Sequence, residues 1–394
     1  MKIHQMTLTM PKASKELGLK DNVLHSVLDE LASHLYRRQI NNTDFVRFPE
    51  AAIGPLGRLK DFMKSKVIDL AGKKGFLHLD RLSLMNIAKG LQEILDRNEG
   101  LDRFYNLLQN ESSRKLMIML LTFRILGKQR VKLPLNDPHY WGNVDLIKKK
   151  LLKRPRTIPI QLLSGYLHYY ELEEMGYPIH VHAHDLNILD TFILQQYRYD
   201  REGTVIQAEP GDVVIDAGGC WGDTALYFAS RIGQQGRVFC FEFTPSNLRI
   251  LQQNLDLNPS LAARVEVVPQ PVWDKSGEHL SYSENGPATS LMLGEKQSLR
   301  VLSKSIDDFA AEQAIRRVDF IKMDIEGAEL KALQGAEQTL RAFRPKLAIA
   351  LYHRADDFVV IPRYLESLNL NYEFFLDHFT IHLEETVLFA SPAN

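Results

Sequence analysis

The sequence predicts an α/β fold in which a mostly parallel sheet, covered by helices, follows a mainly helical N-terminal region. Three observations predict it. From Gly211 on, short runs rich in Val, Ile and Phe alternate with helical patterns, as in a parallel sheet buried on both faces. Before residue 127, apolar residues recur at every third and fourth position instead, which marks one face of a helix. Where the second texture begins, an apolar strand at 213–217 turns through three glycines into a helix.

The N-terminal helices come first. Val23, Leu24, Val27, Leu28, Leu31 and Leu35 line one face, with Asp21 as the expected cap. The spacing continues over 58–70, 81–97, 101–109 and 111–126, with Gly54, Gly57, Gly75 and Gly100 as expected breaks. The stretch 132–159 holds four prolines, the pair Tyr140–Trp141 and the run KKKLLKRPR (148–156), and a boundary is expected there. Six basic residues in nine suit an acidic partner, but the plainer reading is a solvated helix face entering a linker, and nucleic acid is not an expected partner. Short strands are expected at 157–163 and 177–184 and a helix at 187–197. The expected division is thus a helical accessory region at 1–155, a mixed connector and lead-in helix at 156–204, and the sheet domain at 205–394.

Composition sets the bounds. At about 150 residues per domain, 394 residues make two to three domains. Apolar residues at 45% and charged residues at 25% exclude disordered and fibrous classes. The 48 basic and 49 acidic side chains are unevenly spread, net +8 over residues 1–205 and net −9 over 206–394. Two cysteines, Cys220 and Cys240, form no disulfide framework, so a reducing compartment, the cytoplasm, is expected. The N-terminus lacks the apolar core of a signal peptide, and no apolar run is long enough to span a bilayer.

The sheet strands are expected at 213–217, 238–241, 265–268, 318–323, 347–351, 372–376 and 386–389. The sharpest motif is VVIDAGGCWGDT (213–224), in which Asp216 ends a strand and Gly218, Gly219 and Gly222 let backbone approach a ligand. Twenty residues beyond Gly222, Glu242 ends the next strand, where a carboxylate accepts hydrogen bonds from both hydroxyls of a ribose. This is an adenosine-site arrangement. Charge selects the compound: Asp216 and Asp223 repel a pyrophosphate but attract the ammonium and sulfonium of S-adenosylmethionine. Asp223 also has the plainer role of an acid in the first turn of a helix. Gln270, after the third strand, is the expected adenine contact.

The segment VDFIKMDIEGAE (318–329) gathers Asp324, Glu326 and Glu329 at a strand tip. Asp324 reaches the edge that carries Asp216 and Glu242, whereas Glu329 is expected as an exposed acid in the next helix. Taken together, VVIDAGGCWGDTALYFA, IKMDIEGAELKALQGA, PKLAIALYH and ETVLFA resemble the FkbM-type methyltransferases from about Asp185 to the C-terminus. The resemblance implies a Rossmann-like domain with a reversed last strand, and S-adenosylmethionine-dependent methylation of a hydroxyl on a sugar, glycan or polyketide-like acceptor. It implies donor contacts at Asp216, Gly218, Gly222, Glu242 and Gln270, and active-site positions at Asp324, Glu326 and His353. Cys220 and Trp221 stand where many members have small or amide residues.

Methyl transfer to an alcohol requires removal of the hydroxyl proton. His353 is the expected base, its ring oriented by Asp324, with His378 and His382 as turn histidines first. Asp324 and Glu326 are alternatively a divalent-ion pair. His180, His182 and His184 share one face at period two and offer a second possible metal site. That run supports the alternative of a metal-dependent enzyme, and a non-catalytic scaffold with a methyltransferase-like fold is the other. The acceptor and the oligomeric state have no signature in the sequence.

Overall fold

The computed structural model describes residues 22–35, 81–128, 130–152, 154–160, 165–292 and 299–393. Among them the chain begins with helices α1 (Val23–Leu35), α2 (Arg81–Asp96), α3 (Asn98–Leu107) and α4 (Glu111–Leu126). The expected helix at 58–70, the breaks Gly54, Gly57 and Gly75, and the cap Asp21 lie outside the described residues. Asn22 caps α1 instead, its Oδ1 accepting from the His25 amide at 2.9 Å. Asn110 likewise caps α4 by accepting from the Ser113 amide at 3.1 Å. Gly100 is no break: it sits inside α3, where a Cβ would lie 2.3 Å from Val359 Cγ1. Close helix packing, not a turn, requires glycine there.

Helix α5 (Pro138–Leu146) has Asp137 as its cap and runs into a π-helical turn, Ile147–Leu151. At the start of the basic run, Lys148 and Lys149 are exposed while Ile147 and Leu151 are buried, so these two lysines lie on a solvated helix face. Strand β1 (Arg154–Pro159) pairs antiparallel with β2 (Tyr166–Glu171), a strand the sequence reading passed over, and β2 pairs with β3 (His180–Ala183). The expected helix at 187–197 is one α-turn, Asp185–Asn187, followed by π-helical Ile188–Ile193. A hairpin of β4 (Tyr199–Arg201) and β5 (Thr204–Ile206) leads to the main sheet.

That sheet contains β6 (Val213–Ala217), β7 (Arg237–Phe241) and β8 (Val265–Val268). A small antiparallel sheet of β9 (His279–Tyr282), β10 (Leu291–Met292) and β11 (Leu299–Leu302) follows, also unforeseen. The main sheet resumes with β12 (Phe320–Met323), β13 (Lys346–Ala350), β14 (Tyr372–His378) and β15 (Thr386–Pro392). Its order is β14-β15-β13-β12-β6-β7-β8, and β15 alone runs opposite to the other six strands. The reversed last strand is therefore present. Chain direction across the sheet switches between β6 and β12, which opens a crevice beyond their carboxyl ends.

Strand period two divides the cores. Ile215, Phe239, Ile321 and Leu347 face helices α1, α3 and α4, helix α7 (Ile306–Glu312) and helix α8 (Asp357–Ser367). Val214, Val238, Phe320 and Ala348 face residues of 140–208 and helix α6 (Asp223–Arg231). The start of α4 also reaches the outermost strand. The Gln109 amide donates to Phe374 O at 3.0 Å, and the Ser113 hydroxyl accepts from the Leu376 amide at 2.9 Å and donates to its carbonyl at 3.2 Å. Among the described residues, no helix is long and apolar enough to cross a membrane.

Candidate active site

The loop after β6 is shaped by left-handed backbone at Gly218 (φ 87°), Cys220 (φ 42°) and Gly222 (φ 85°). A Cβ on Gly218 would fall 2.0 Å from the Asp324 carbonyl, so this glycine is what lets the two strand tips meet. Gly219 is excluded from any larger side chain by Cys240 Sγ, 2.1 Å from where its Cβ would stand.

Asp216 is fully buried and engaged internally. Lys322 Nζ is 3.1 Å from its Oδ1, and the Thr224 hydroxyl donates to Oδ2 at 2.7 Å. Lys322 is 1% exposed, also donates to the carbonyls of Ala217 and Gly218 at 3.2 and 2.7 Å, and lies 5.2 Å over the Tyr197 ring. Burial opposes its charge, but Asp216 and Asp324 reverse that and hold its pKa above the ordinary lysine value. Sequence reasoning missed Lys322, although a lysine in the middle of an apolar strand signals a buried partner. Asp223 is buried in the first turn of α6, where Asn187 and Thr191 donate to its Oδ2 at 3.2 and 3.1 Å. It anchors the π-helical segment rather than facing the crevice.

Glu242, at the tip of β7, takes amide hydrogens of Phe243 and Thr244 on Oε1 at 2.6 and 2.8 Å, and Asn247 Nδ2 on Oε2 at 3.2 Å. Burial pushes its carboxyl up despite these donors. It lines a cleft together with Gly218, Asn247, Val272, Asp324 and Glu326. Gln270 is half-buried and not among the cleft-lining residues; Pro271 and Val272 occupy the place expected for it. Cys220 lines the cleft, whereas Trp221 turns away to pack with Leu167 and Ile250, its indole donating to Asn247 Oδ1 at 3.1 Å.

At the other end, Asp324 follows β12 and is clamped between two phenols: Tyr197 donates to Oδ2 and Tyr352 to Oδ1, each at 2.9 Å. The Tyr352 hydroxyl also lies 3.1 Å from Glu385 Oε2, so one proton is shared between two carboxylates, and Gln196 donates to that Glu385 oxygen at 2.7 Å. Burial would raise the Asp324 pKa, but His353, Lys322 and both tyrosines hold it below the usual range. None of Gln196, Tyr197, Tyr352 and Glu385 was foreseen.

His353 lies behind Asp324 with its side chain 7% exposed, and it does not line the cleft. Its Nδ1 meets Glu329 Oε1 at 2.9 Å, so Glu329, not the expected Asp324, orients the ring. Nε2 faces Asp324 Oδ1 at 3.4 Å and Glu326 Oε2 at 3.7 Å. Burial disfavours the charged ring, but the Glu329 hydrogen bond and the three carboxylates outweigh it and raise the pKa to about 10. Glu329 does stand in a first helical turn (Glu329–Gln334), but it is fully buried where exposure was expected, because its Oε1 also accepts from the Ile325 amide at 2.9 Å. Glu326 lines the cleft, is 30% exposed and holds a left-handed φ of 55°. Burial, aided by Asp324 and Glu329 and opposed by His353, pushes its carboxyl up to about 7.

Among the described residues, the His, Cys, Asp and Glu side chains close enough to share a metal ion are Asp324, Glu329 and His353. Glu329 thus takes the place expected for Glu326 beside Asp324. His180, His182 and His184 do not form such a group. The strand ends at Ala183, so His184 turns inward and caps Asp185–Asn187, while His180 pairs with Glu173. The edge of β3 is instead satisfied by side chains: Asn258 and Asn254 accept from the amides of His180 and His182 at 2.9 and 2.7 Å. His378 ends β14 and contacts Thr386 Oγ1 at 2.8 Å, and His382 is buried in the following turn; neither lines the cleft.

The sequence profile of the methyltransferase FkbM domain matches residues 187–374. Methyltransferase 1 of Beauveria bassiana (strain ARSEF 2860) is 25% identical over 198 residues, covering 45% of this chain and 79% of the relative. Methyltransferase sdnD of Sordaria araneosa is 24% identical over 179 residues, 37% of this chain and 69% of the relative. A solved methyltransferase FkbM from Methylobacillus flagellatus KT aligns with a TM-score of 0.48 at 20% identity. The alignment covers 76% of this chain and 60% of that one.

Proposed function

The chain carries a methyltransferase FkbM domain over residues 187–374, and from that premise we propose an S-adenosylmethionine-dependent O-methyltransferase acting on a hydroxyl of a sugar, glycan or polyketide-like acceptor. The observation that carries the donor assignment is the charge of the cleft. Among the described residues, Glu242, Asp324 and Glu326 line it, and no Lys, Arg or His does. Such a lining repels a pyrophosphate and attracts a sulfonium and an ammonium. The residues fit the donor in a second respect: Glu242 Oε2 receives a hydrogen bond from Asn247 alone and keeps acceptor capacity for ribose hydroxyls. Asp216, paired with Lys322, positions the glycine loop beneath.

When bound, S-adenosylmethionine supplies an electrophilic methyl group on a sulfonium. The chain's own part is to orient the acceptor oxygen and remove its proton. We assign the proton to Glu326, whose carboxylate lines the cleft, while His353 lies behind it with both ring nitrogens turned to carboxylates. As the oxygen takes the methyl, Glu326 takes the hydroxyl proton and returns it to water after product leaves. Asp324, held by two phenols, keeps this edge rigid.

Calorimetric titration of the full chain with S-adenosylmethionine, S-adenosylhomocysteine and NAD tests the reading, with Glu242→Gln alongside. Binding of the first two near micromolar, about −8 kcal/mol, without NAD binding, is expected. Glu242→Gln should weaken it about 10–100-fold, the worth of charge-assisted hydrogen bonds. NAD binding, or a folded protein that binds none of the three, overturns the reading.

A further inference from the structure

We propose that Asp324, Glu329 and His353 hold a divalent metal ion at the acceptor end of the cleft. One ligand atom of each lies within 4.8 Å of those of the other two. Metal–ligand distances for such donors are about 2.0–2.2 Å, so small side-chain rotations close the site. Two atoms of the trio, His353 Nε2 and Glu329 Oε2, are buried without any hydrogen-bond partner. Their side chains are 7% and 1% exposed, and polar atoms so placed are costly unless something occupies them. Nε2 is aimed at Asp324 Oδ1, which puts an unsatisfied nitrogen opposite a carboxylate rather than opposite an apolar wall.

The surrounding contacts are those of a supported site. Glu329 Oε1 is fixed by the Ile325 amide and His353 Nδ1, each at 2.9 Å, an outer carboxylate contact that sets the ring's orientation and leaves Nε2 free to ligate. Asp324 is fixed by Tyr197 and Tyr352. One imidazole nitrogen among carboxylate oxygens suits Mn2+ or Zn2+. Because Asp324 lines the cleft, an ion there can polarise an acceptor hydroxyl and ease its deprotonation by Glu326. That role rests on the methyltransferase reading; the binding does not.

The test is a Mn2+ titration of the chelator-stripped full chain, carrying no histidine tag, by calorimetry and electron paramagnetic resonance. We expect one Mn2+ per chain, spin-echo modulation from an imidazole nitrogen, and affinity at least tenfold weaker in His353→Gln and Glu329→Gln. A variant with both His180→Ala and His182→Ala should keep the site. No stoichiometric Mn2+, a bound ion without nitrogen modulation, or a site that survives His353→Gln overturns the proposal, and the modulation reads the wild type even if a variant fails to fold. Donor titration of the same stripped sample separates the two readings. Donor binding without the ion removes the metal alone, and ion binding without the donor removes the donor assignment alone.

Discussion

At the tips of β6 and β7 the carboxylates are engaged by the protein itself: Asp216 by Lys322 and Thr224, Glu242 by two amides, Thr244 and Asn247. At the tips of β12 and β13, His353 Nε2 and Glu329 Oε2 are buried without hydrogen bonds, Nε2 facing the carboxylates of Asp324 and Glu326 at 3.4 and 3.7 Å. Both ends are acidic, yet only at the first does every buried carboxylate oxygen meet an internal donor or cation: Asp216 Oδ1, which accepts no hydrogen bond, has the Lys322 ammonium 3.1 Å away, and in that sense this end is complete. A complete end is pre-organised to receive a ligand of fixed shape, and an incomplete end keeps valency for what changes during a reaction.

The strongest way to break this comparison is to remove the counter-charge of the complete end. Lys322→Met leaves Asp216 buried and unpaired, and should cost about 3–5 kcal/mol of stability, read as a lower urea midpoint. A loss under 1 kcal/mol would mean that water reaches Asp216 and that this end is not sealed. Next, Glu326→Gln should lower turnover about 10²–10⁴-fold with donor affinity within twofold. Equal losses of both would move Glu326 into donor binding. The smallest effect is expected from Gln270→Ala, whose side chain is not part of the cleft lining: donor affinity should change less than threefold, and a tenfold loss would extend the donor end beyond Val272.

Much of the complete end was legible because its signals are local. The strand, the three glycines and Glu242 lie within 30 residues, each read from spacing alone. The Lys322–Asp216 pair was not, because it depends on β6 and β12 lying side by side in a register that sets these two residues directly opposite, over a hundred positions apart in sequence. The same limit hid Tyr197, which reaches Asp324 from a distant segment, and Gln196 and Glu385, which join Asp324 through the Tyr352 hydroxyl. Glu329 shows a subtler failure. Its place in a helical first turn was foreseen, but an amide four residues earlier and a histidine from the next strand draw it inward. Gly100 misled in the opposite direction, since a residue that often ends helices is also the smallest that lets two helices touch.

The contacts between α4 and β14 also bear on how the molecule behaves toward its own copies. An outermost strand normally presents a row of amides and carbonyls that another chain can extend into a longer sheet. Here Gln109 and Ser113 occupy those groups at Phe374 and Leu376. The N-terminal helices thus act as a guard against edge-to-edge aggregation, and proteolytic loss of that region would leave a sticky flank even if the cleft at the far ends of the strands stayed whole.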